Sequence, residues 1–324
     1  MQPLATSGIS LVEAHTGKPI LLRGVNRSGL EYSAPDGAGS LAKAGITADE
    51  IEAMVTQWGA NVIRLPFNQD WALARPDYDA TPYLEALDFV IQTAARAGAY
   101  TLLDLQWLDA VTPRGTLPDG SPNFVPPLPN AGSLVLWTQL AERYRDQPAV
   151  LYDIFNEPHD ALVDDPLPLL GIDRGVTFPL PSKRVSMAQW QPWALHLVEA
   201  VRSRNPAALI FVPGTGWGYD LRGLPLPGVT GVVYSTHVYR NKGRNWHAAF
   251  GELAQTHPVF AGEWGGGDED VAWGSELYRY LSARGIGWTA WSWSDAPRLV
   301  QAGTREPTAF GAIVRAALQP RSTA

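Results

Sequence analysis

Cysteine is absent from the 324 residues of this chain. Disulfide bonds, thiolate catalysis and zinc sites built from cysteine are therefore excluded. No run of about 18 consecutive apolar residues occurs, so the sequence predicts no membrane-spanning helix and no membrane partner. The first residues, Met1 to Thr6, lack the basic and apolar regions of a secretory signal. We expect secretion with the signal already removed, and a cytoplasmic location stays open.

The chain also has no block of Lys and Arg, and its net charge is −7. This charge repels polyanions, so the sequence predicts no nucleic-acid partner. The six His include no His-x-x-x-His pair for one helix face, and Gly265–Gly267 lacks the Lys-Ser/Thr of a phosphate-binding loop. We therefore predict neither a metal ion nor another cofactor. An uncharged partner fits this composition better.

Tryptophan, by contrast, is abundant, with 13 residues. Aromatic faces pack against the apolar C–H faces of sugars, and this contact needs no charge. Tryptophan also fills protein cores, so any single one has an equally good structural explanation. The count favours a carbohydrate partner without identifying one.

Apolar runs of four to six residues recur along the chain, as expected for parallel strands that are buried on both faces. The predicted strands are Leu21–Val25, Asn61–Leu65, Tyr100–Leu105, Val150–Phe155, Leu209–Val212, Val232–Thr236, Val259–Ala261 and Gly287–Trp291. Two further short runs around His15-Thr16-Gly17, within residues 9–22, predict an N-terminal hairpin.

Amphipathic segments alternate with these strands. The predicted helices are Thr47–Trp58, a helix from Thr81 to Gly98, Ser133–Tyr144, Met187–Arg204, Trp246–Gln255, Asp270–Arg284 and Thr308–Leu318. Thr47 and Glu50 form the pattern of a capping box. A Thr81 hydroxyl cap followed by Pro82 starts the second helix, and Gly98 ends it. Between Val212 and Val232 we expect the helix to be short or missing.

Eight strand–helix units without a break in composition predict a single (β/α)8 TIM barrel domain over residues 1–324. An open, doubly wound sheet is the alternative. Two long segments, 108–130 with six Pro and 159–183 with four, follow the third and fourth strands. Barrel enzymes build their sites at this end of the strands, so we expect these long βα loops to wall a cleft.

Two glutamates follow apolar strands directly. Val150–Phe155 leads into Asn156-Glu157-Pro158, and Val259–Gly262 leads into Glu263. Hydrolysis of a glycosidic bond with retention needs two carboxyl groups about 5–5.5 Å apart, one protonated and one ionised. Either Glu alone could be an exposed loop residue, but the two together on strands four and seven favour a catalytic pair.

The motifs follow one another in the order of a known family. They are Gly24–Asn26, Val62–Pro66, Leu102–Leu105, Asn156–Pro158, Ser235–Tyr239, Gly262–Trp264 and Trp288–Trp293. With this ordered set the chain resembles glycoside hydrolase family 5, the cellulase-like retaining β-glycanases, over nearly its whole length. Asn-Glu-Pro alone would be weak evidence.

The resemblance implies a role for each matching residue. Glu157 would be the acid/base and Glu263 the nucleophile. Asn156 would hydrogen-bond the sugar 2-hydroxyl, Arg64 and Tyr239 would hold Glu263, and His237 would lie beside Glu157. Arg64 could instead be a structural ion-pair partner, and His237 a core histidine.

Other motif residues are predicted to bind or support the sugar. Trp291 would be the platform under the reacting sugar, although Trp293 could take that place. Gln106 stands where the family usually has His, and Trp107 and Trp264 adjoin the same motifs. Asp104 is predicted to be a buried structural carboxylate.

The function predicted from these residues is endo-acting, retaining hydrolysis of β-1,4-glucosidic bonds in β-glucan by a monomer. Cellulose, soluble cellulose derivatives and mixed-linkage glucan are the expected substrates. The alternatives are a mannan- or xyloglucan-active hydrolase, or a transglycosylase with Trp217 and Trp246 lining acceptor subsites. A non-catalytic carbohydrate-binding barrel is a rival from another class, which the presence of both Glu157 and Glu263 disfavours.

Overall fold

A closed barrel of eight parallel strands organises the chain in a computed structural model, which describes residues 1–109, 126–159, 161–162, 182–183 and 185–319. The barrel strands, numbered in chain order, are β4 (Arg23–Asn26), β5 (Val62–Asn68), β6 (Tyr100–Trp107), β7 (Val150–Asp153), β10 (Ile210–Pro213), β11 (Val232–Val238), β12 (Val259–Trp264) and β13 (Gly287–Ala290). β13 pairs with β4 and closes the ring. The predicted (β/α)8 barrel is confirmed, and the open-sheet alternative is wrong.

All eight predicted strands are present, but several continue beyond the predicted carboxyl end. β5, β6, β11 and β12 each extend two to three residues further, into polar or aromatic positions such as Gln106, His237 and Glu263. An apolar run ends at the first polar residue, whereas a strand continues as long as its neighbours supply backbone partners. These extensions carry functional side chains to one end of the barrel.

Helices surround the barrel in the described ranges. They are α1 (Ser40–Ala44), α2 (Ala48–Thr56), α3 (Gln69–Ala72), α4 (Thr81–Ala97), α5 (Ala131–Arg143), α6 (Met187–Arg202), α7 (Val271–Ser282) and α8 (Ala309–Leu318). None of these helices has both the length and the apolar character needed to cross a lipid bilayer. Residues 214–231 contain no helix, as predicted.

Three helix predictions need correction. Thr47 caps α2 by accepting from Glu50 N, but the Glu50 carboxylate binds Arg27 Nε at 2.8 Å, so the capping box is incomplete. α4 begins at Thr81 without a Thr81 hydroxyl cap, because Asp79 accepts from Thr81 N instead. The segment predicted as one α-helix over 246–255 is a π-helical turn followed by a 3-10 turn.

An antiparallel sheet closes the amino end of the barrel. It has three strands, β1 (Leu4–Ser7), β2 (Ser10–Glu13) and β3 (Pro19–Ile20), where the sequence predicted only a hairpin. Leu4 and Leu11 pack into a buried apolar cluster with residues from the barrel interior, including Phe260. The amino end is therefore filled by the core, and the carboxyl end is left for a site.

The two Pro-rich loops fall largely outside the described residues. Within the second, β8 (Ala161–Leu162) pairs antiparallel with β9 (Ser182–Lys183). The prediction that both loops wall a cleft concerns residues 110–125 and most of 160–184, so it stays a prediction.

Candidate active site

A cleft of about 1040 Å³ lies at the carboxyl end of the barrel strands. Its lining includes Gln106, Glu157, Trp217, Tyr239, Glu263 and Trp291. These residues come from strands, or from the segments that follow them, that are far apart in sequence, and the closed parallel barrel brings the carboxyl ends of all its strands to one face. Five of the six belong to the predicted site, and Trp217 was expected only as an acceptor-side residue.

Two carboxylates face each other in this cleft. Glu157 lies four residues beyond the end of β7, and Glu263 is in β12. One oxygen of Glu157 lies within 4.8 Å of one oxygen of Glu263. The Glu157 side chain is 17% exposed and that of Glu263 is 6% exposed, so both reach the cleft while mostly shielded from solvent.

Arg64, on β5, is fully buried beneath the pair and contacts several side chains. Its Nη1 donates to Glu263 Oε1 at 2.9 Å, and its Nε donates to Asp153 Oδ2 at 2.9 Å. Its Nη2 donates to Asn156 Oδ1 at 3.0 Å and lies 2.9 Å from Asp104 Oδ1. The predicted contact with Glu263 is present, and Asp104 is the buried structural carboxylate that we predicted.

One guanidinium thus faces three buried carboxyl groups. Burial raises the pKa of Asp104 well above its ordinary value and that of Asp153 to about 6, against the opposing effect of Arg64. When Asp104 is protonated, fewer negatively charged carboxylates share the positive charge of Arg64. The Tyr239 hydroxyl also donates to Glu263 Oε2 at 2.7 Å, and burial raises the pKa of Tyr239 well above 10, so it remains a donor. Glu263 therefore has two fixed donors that stabilise its ionised form.

Glu157 has a different environment. Burial raises its pKa above the ordinary value, while the charges of Lys242, Arg64 and His159 oppose that rise. His237 Nδ1 lies 2.9 Å from Glu157 Oε1. Burial lowers the pKa of His237 to about 3, so this histidine is neutral near pH 7 and adds no compensating charge. The two carboxyl groups thus have different surroundings, because two side chains donate hydrogen bonds to Glu263 and a neutral histidine lies beside Glu157.

His237 is held between two glycines. β11 and β12 shift register between Thr236 and His237, so that His237 pairs with Glu263 and Gly262 is skipped. A Cβ on Gly262 would lie 3.0 Å from His237 Nε2, and one on Gly218, at φ +70°, would lie 2.8 Å from His237 Cγ. This β-bulge aims the imidazole at the carboxylate pair.

Asn156 is placed by two contacts. Its backbone N–H donates to Leu105 O at 3.0 Å, and its side-chain oxygen accepts from Arg64 Nη2. The side-chain NH₂ is therefore the group that can donate to a sugar hydroxyl.

The structure separates the tryptophans of the last strands. Trp291 is partly exposed and lines the cleft, whereas Trp293 is 1% exposed and packs edge-on against Trp58. Trp291 is therefore the one available as a platform. Trp264, predicted to bind substrate or support the site, is fully buried against Trp288 and Phe310, so it packs in the barrel core.

Gln106 and Trp107 are the last two residues of β6. Gln106 lines the cleft, and its side-chain oxygen is buried without a hydrogen-bond partner among the described residues. The ring of Trp107 lies 6.0 Å from that of Tyr32, centroid to centroid.

The two tryptophans that were predicted to line acceptor subsites lie in different environments. Trp217 is 39% exposed, lines the cleft and stacks on His159 at 4.1 Å between centroids. Trp246 is buried against Trp273 and Tyr280, so its predicted acceptor role is wrong. An amphipathic pattern alone does not distinguish these two environments.

Sequence reasoning missed Asp153 and Lys242. Asp153 had a signal, because a charged residue inside the apolar run Val150–Phe155 must be paired when it is buried. Lys242 lies in a loop after β11, where no periodic pattern marks it, and only the fold brings it to the cleft.

Glu157, His237 and Glu263 are of residue types that can bind a metal ion, and one oxygen or nitrogen atom of each lies within 4.8 Å of the others. Arg64, 2.9 Å from Glu263, already supplies a positive charge there. The absence of a metal cofactor stays a prediction.

Comparisons with known proteins point to one family. The family described as cellulase (glycosyl hydrolase family 5) matches residues 14–297. Endoglucanase E-5 of Thermobifida fusca is 24% identical over 307 residues, which cover 89% of this chain and 55% of that protein. The major extracellular endoglucanase of Xanthomonas campestris pv. campestris is 27% identical over 332 residues, covering 86% of this chain and 63% of that protein.

Among solved structures, a β-glucanase from Saccharophagus degradans in complex with cellotetraose has the same fold. It superposes with a TM-score of 0.73 at 21% identity, covering 98% of this chain and 93% of that one. The chain spans only 55–63% of the length of these two curated relatives.

Proposed function

The chain belongs to the cellulases of glycosyl hydrolase family 5, and on this basis we propose that it hydrolyses internal β-1,4-glucosidic bonds of β-glucan with retention. The observation that carries the proposal is the pair Glu157 and Glu263, in which one carboxylate oxygen of each lies within 4.8 Å of one oxygen of the other. This separation fits carboxyl groups about 5–5.5 Å apart better than the roughly 6.5–9.5 Å of inverting enzymes.

In the first step, Glu263 attacks the anomeric carbon while the bond to the leaving oxygen breaks. Arg64 and Tyr239 hold the attacking carboxylate in its ionised form through hydrogen bonds of 2.9 and 2.7 Å. Glu157 gives its proton to the leaving oxygen, and burial favours the protonated form that this requires.

In the second step, water replaces Glu263 on the sugar. Glu157, now ionised, accepts a proton from this water as its oxygen bonds to the anomeric carbon. Asn156 donates to the 2-hydroxyl, a contact that strengthens in the transition state, and Trp291 supports the sugar ring from below.

Several observations support a β-glucan as substrate. The two relatives are named endoglucanases, and the Saccharophagus degradans structure contains cellotetraose. The cleft volume of about 1040 Å³ has room for several sugar units, and two aromatic residues that line it, Trp217 and Trp291, offer apolar faces without charge. The Xanthomonas relative is named an extracellular endoglucanase, which favours action of this chain outside the cell as well.

Variants of the two carboxylates test the mechanism. Glu263→Gln should abolish turnover, because no nucleophile remains. Glu157→Gln should slow cello-oligosaccharide cleavage far more than cleavage of an activated aryl glycoside, which needs no acid. The parent kcat/KM should follow a bell-shaped pH profile. Equal losses on both substrate types, or an inverted product anomer by NMR, would refute the assignment.

A panel of glycans decides between the substrate alternatives. Reducing-sugar release should be greatest on soluble cellulose derivatives and mixed-linkage glucan, and lower on mannan, xyloglucan and xylan. The exposed Trp217 favours a second candidate, transfer to an acceptor sugar, because it lies on the cleft wall beside Glu157. Oligosaccharides longer than the starting cello-oligosaccharide would indicate this transfer.

A further inference from the structure

Lys242 occupies a defined place on the cleft wall. It ends the 3-10 turn Arg240–Lys242 that follows β11, and it lines the same cleft as Glu157. Its Nζ donates to the backbone oxygen of Gly216 at 3.0 Å. The ammonium group is therefore held at the cleft and is not free to extend into solvent.

The loop that Lys242 contacts is itself tied to the strand end that carries Glu157. Trp217 N donates to Pro158 O at 3.0 Å, and Pro158 follows Glu157 directly. Trp217 has φ 61°, the one positive φ of a non-glycine residue among the described residues. Such a conformation persists only where neighbouring contacts fix it. Lys242, the Gly216–Trp217 turn and the Glu157 strand end thus form one connected unit.

The other charged and titratable groups near Glu157 cannot replace Lys242. From β5, Arg64 is shared with Asp104, Asp153 and Glu263. From β11, His237 is neutral near pH 7. His159 follows Glu157 in its own loop, while Tyr239, directly after β11, and Glu263 of β12 lie on the opposite side and carry no positive charge. After burial, Lys242 has the largest effect on the pKa of Glu157, and it lowers that pKa.

Resting on the proposed function, we propose that Lys242 is a positioning residue for proton transfer, which balances Glu157 between its acid role and its base role. Glu157 must release a proton to the leaving oxygen in the first step and accept one from water in the second. A buried carboxyl group without a nearby cation would hold its proton too strongly for the second step. Lys242 supplies that cation from a fixed point.

Loss of the charge has a predictable sign. Without the ammonium group, the pKa of Glu157 rises further above its ordinary value, because burial is less opposed. The acid form then persists to higher pH, so the basic limb of kcat/KM should move upward for substrates that need the acid. The base form is depleted at low pH, so kcat should fall there for activated aryl glycosides if water attack limits turnover.

Lys242→Gln and Lys242→Arg test this role. Gln removes the charge and keeps an N–H donor for Gly216 O, whereas Arg keeps the charge. Arg244→Met is the matched control, because it removes one positive charge from the same loop, where Arg244 pairs with Glu276 at 3.1 Å. Full pH profiles should be measured on a cello-oligosaccharide and on an activated aryl glycoside, with thermal unfolding to verify folding.

We expect Lys242→Gln to shift both limbs of the pH profile to higher pH. Lys242→Arg and Arg244→Met should keep the pH profile of the parent. An unshifted profile in an active, folded Lys242→Gln would overturn the proposal. The same shift in Lys242→Arg, which keeps the charge, would mean that the shape of the side chain and not its charge causes the shift. That result would also overturn the proposal. If Lys242→Gln does not fold, a shifted profile in Lys242→Arg still overturns it and a parent profile supports it. Failure of the proposed function would look different, because the parent chain itself would cleave none of the glucans.

Discussion

At the residue scale, Gln106 departs from the pattern of the family that the sequence resembles. The residue lines the cleft, and its side-chain oxygen has no hydrogen-bond partner among the described residues. A carboxamide offers donors and an acceptor and does not titrate, whereas imidazole changes charge near neutral pH. We therefore interpret Gln106 as a sugar contact that adds no pH dependence.

Truncation of this side chain measures the contact. Gln106→Ala should lower kcat/KM on a cello-oligosaccharide by on the order of 1 kcal/mol of transition-state binding, because a sugar hydroxyl loses its partner. Gln106→His should remain active but change the pH profile between about 5 and 7. Parent-like kcat/KM in Gln106→Ala would mean that the side chain does not touch the substrate.

A second residue affects stability and lies outside the catalytic pair. Glu31 is 2% exposed, and its Oε2 accepts from Gly29 N at 2.6 Å. Burial is the main cause that raises its pKa to about 8, and nearby Asp295 adds to the rise. The folded chain therefore keeps Glu31 protonated at pH values where the unfolded chain releases the proton.

The contribution of Glu31 to the stability of the folded chain decreases as pH rises. The folded-state pKa exceeds the ordinary 4.5, so the contribution of Glu31 is fully present below about pH 4.5 and is lost as pH rises towards about 8. Glu31→Gln keeps an acceptor for Gly29 N and cannot ionise. Urea unfolding should show the free energy of unfolding of the variant gaining on that of the parent between pH 5 and 8, by about 1.4 kcal/mol per pH unit at most. Parallel curves would mean that Glu31 ionises normally in the folded chain.

At the element scale, the register shift between β11 and β12 decides the shape of the site. It lets His237 and Glu263 pair side by side and leaves Gly262 opposite Ser235 and His237. A side chain at Gly262 has no room, since its Cβ would lie 2.5 Å from Ser235 Oγ. Other residues can adopt the backbone conformation of Gly262. The glycine is therefore required by close packing and not by its backbone conformation.

Gly262→Ala tests this arrangement. We expect destabilisation and a loss of kcat/KM on the order of tenfold to a hundredfold, because the methyl group displaces His237 from Glu157. Ser235→Ala serves as the control and should leave His237 in place. The double variant should regain part of the stability, while activity stays low because the His237 contact remains. A single variant with parent stability and activity would show that the bulge tolerates a methyl group.

At the scale of the whole molecule, charge distinguishes substrates that share a backbone. The net charge of −7 creates a repulsive field for polyanions, but it has no effect on a neutral glucan. A soluble cellulose derivative with carboxymethyl groups is therefore approached less readily than a neutral oligosaccharide, even though the cleft that cuts it is the same.

Raising the ionic strength should reduce this difference between the charged and the neutral substrate. From about 10 mM to about 200 mM salt the screening length falls from roughly 30 Å to under 10 Å. We expect kcat/KM on carboxymethyl cellulose to rise severalfold and kcat/KM on a neutral cello-oligosaccharide to stay constant. A parallel rise on both substrates would indicate a salt effect on the enzyme itself.

The sequence by itself determined the barrel, its eight strands and the two glutamates at their ends. These follow from local patterns, namely apolar runs of strand length and polar residues directly after them. Only the tertiary structure decided that Trp291 and not Trp293 lines the cleft, that Trp246 is buried and that Lys242 lines the same cleft as Glu157. Those outcomes depend on which strands and loops become neighbours in space, and on a one-residue register shift at His237. Such contacts join residues tens to hundreds of positions apart, and no local periodicity encodes them.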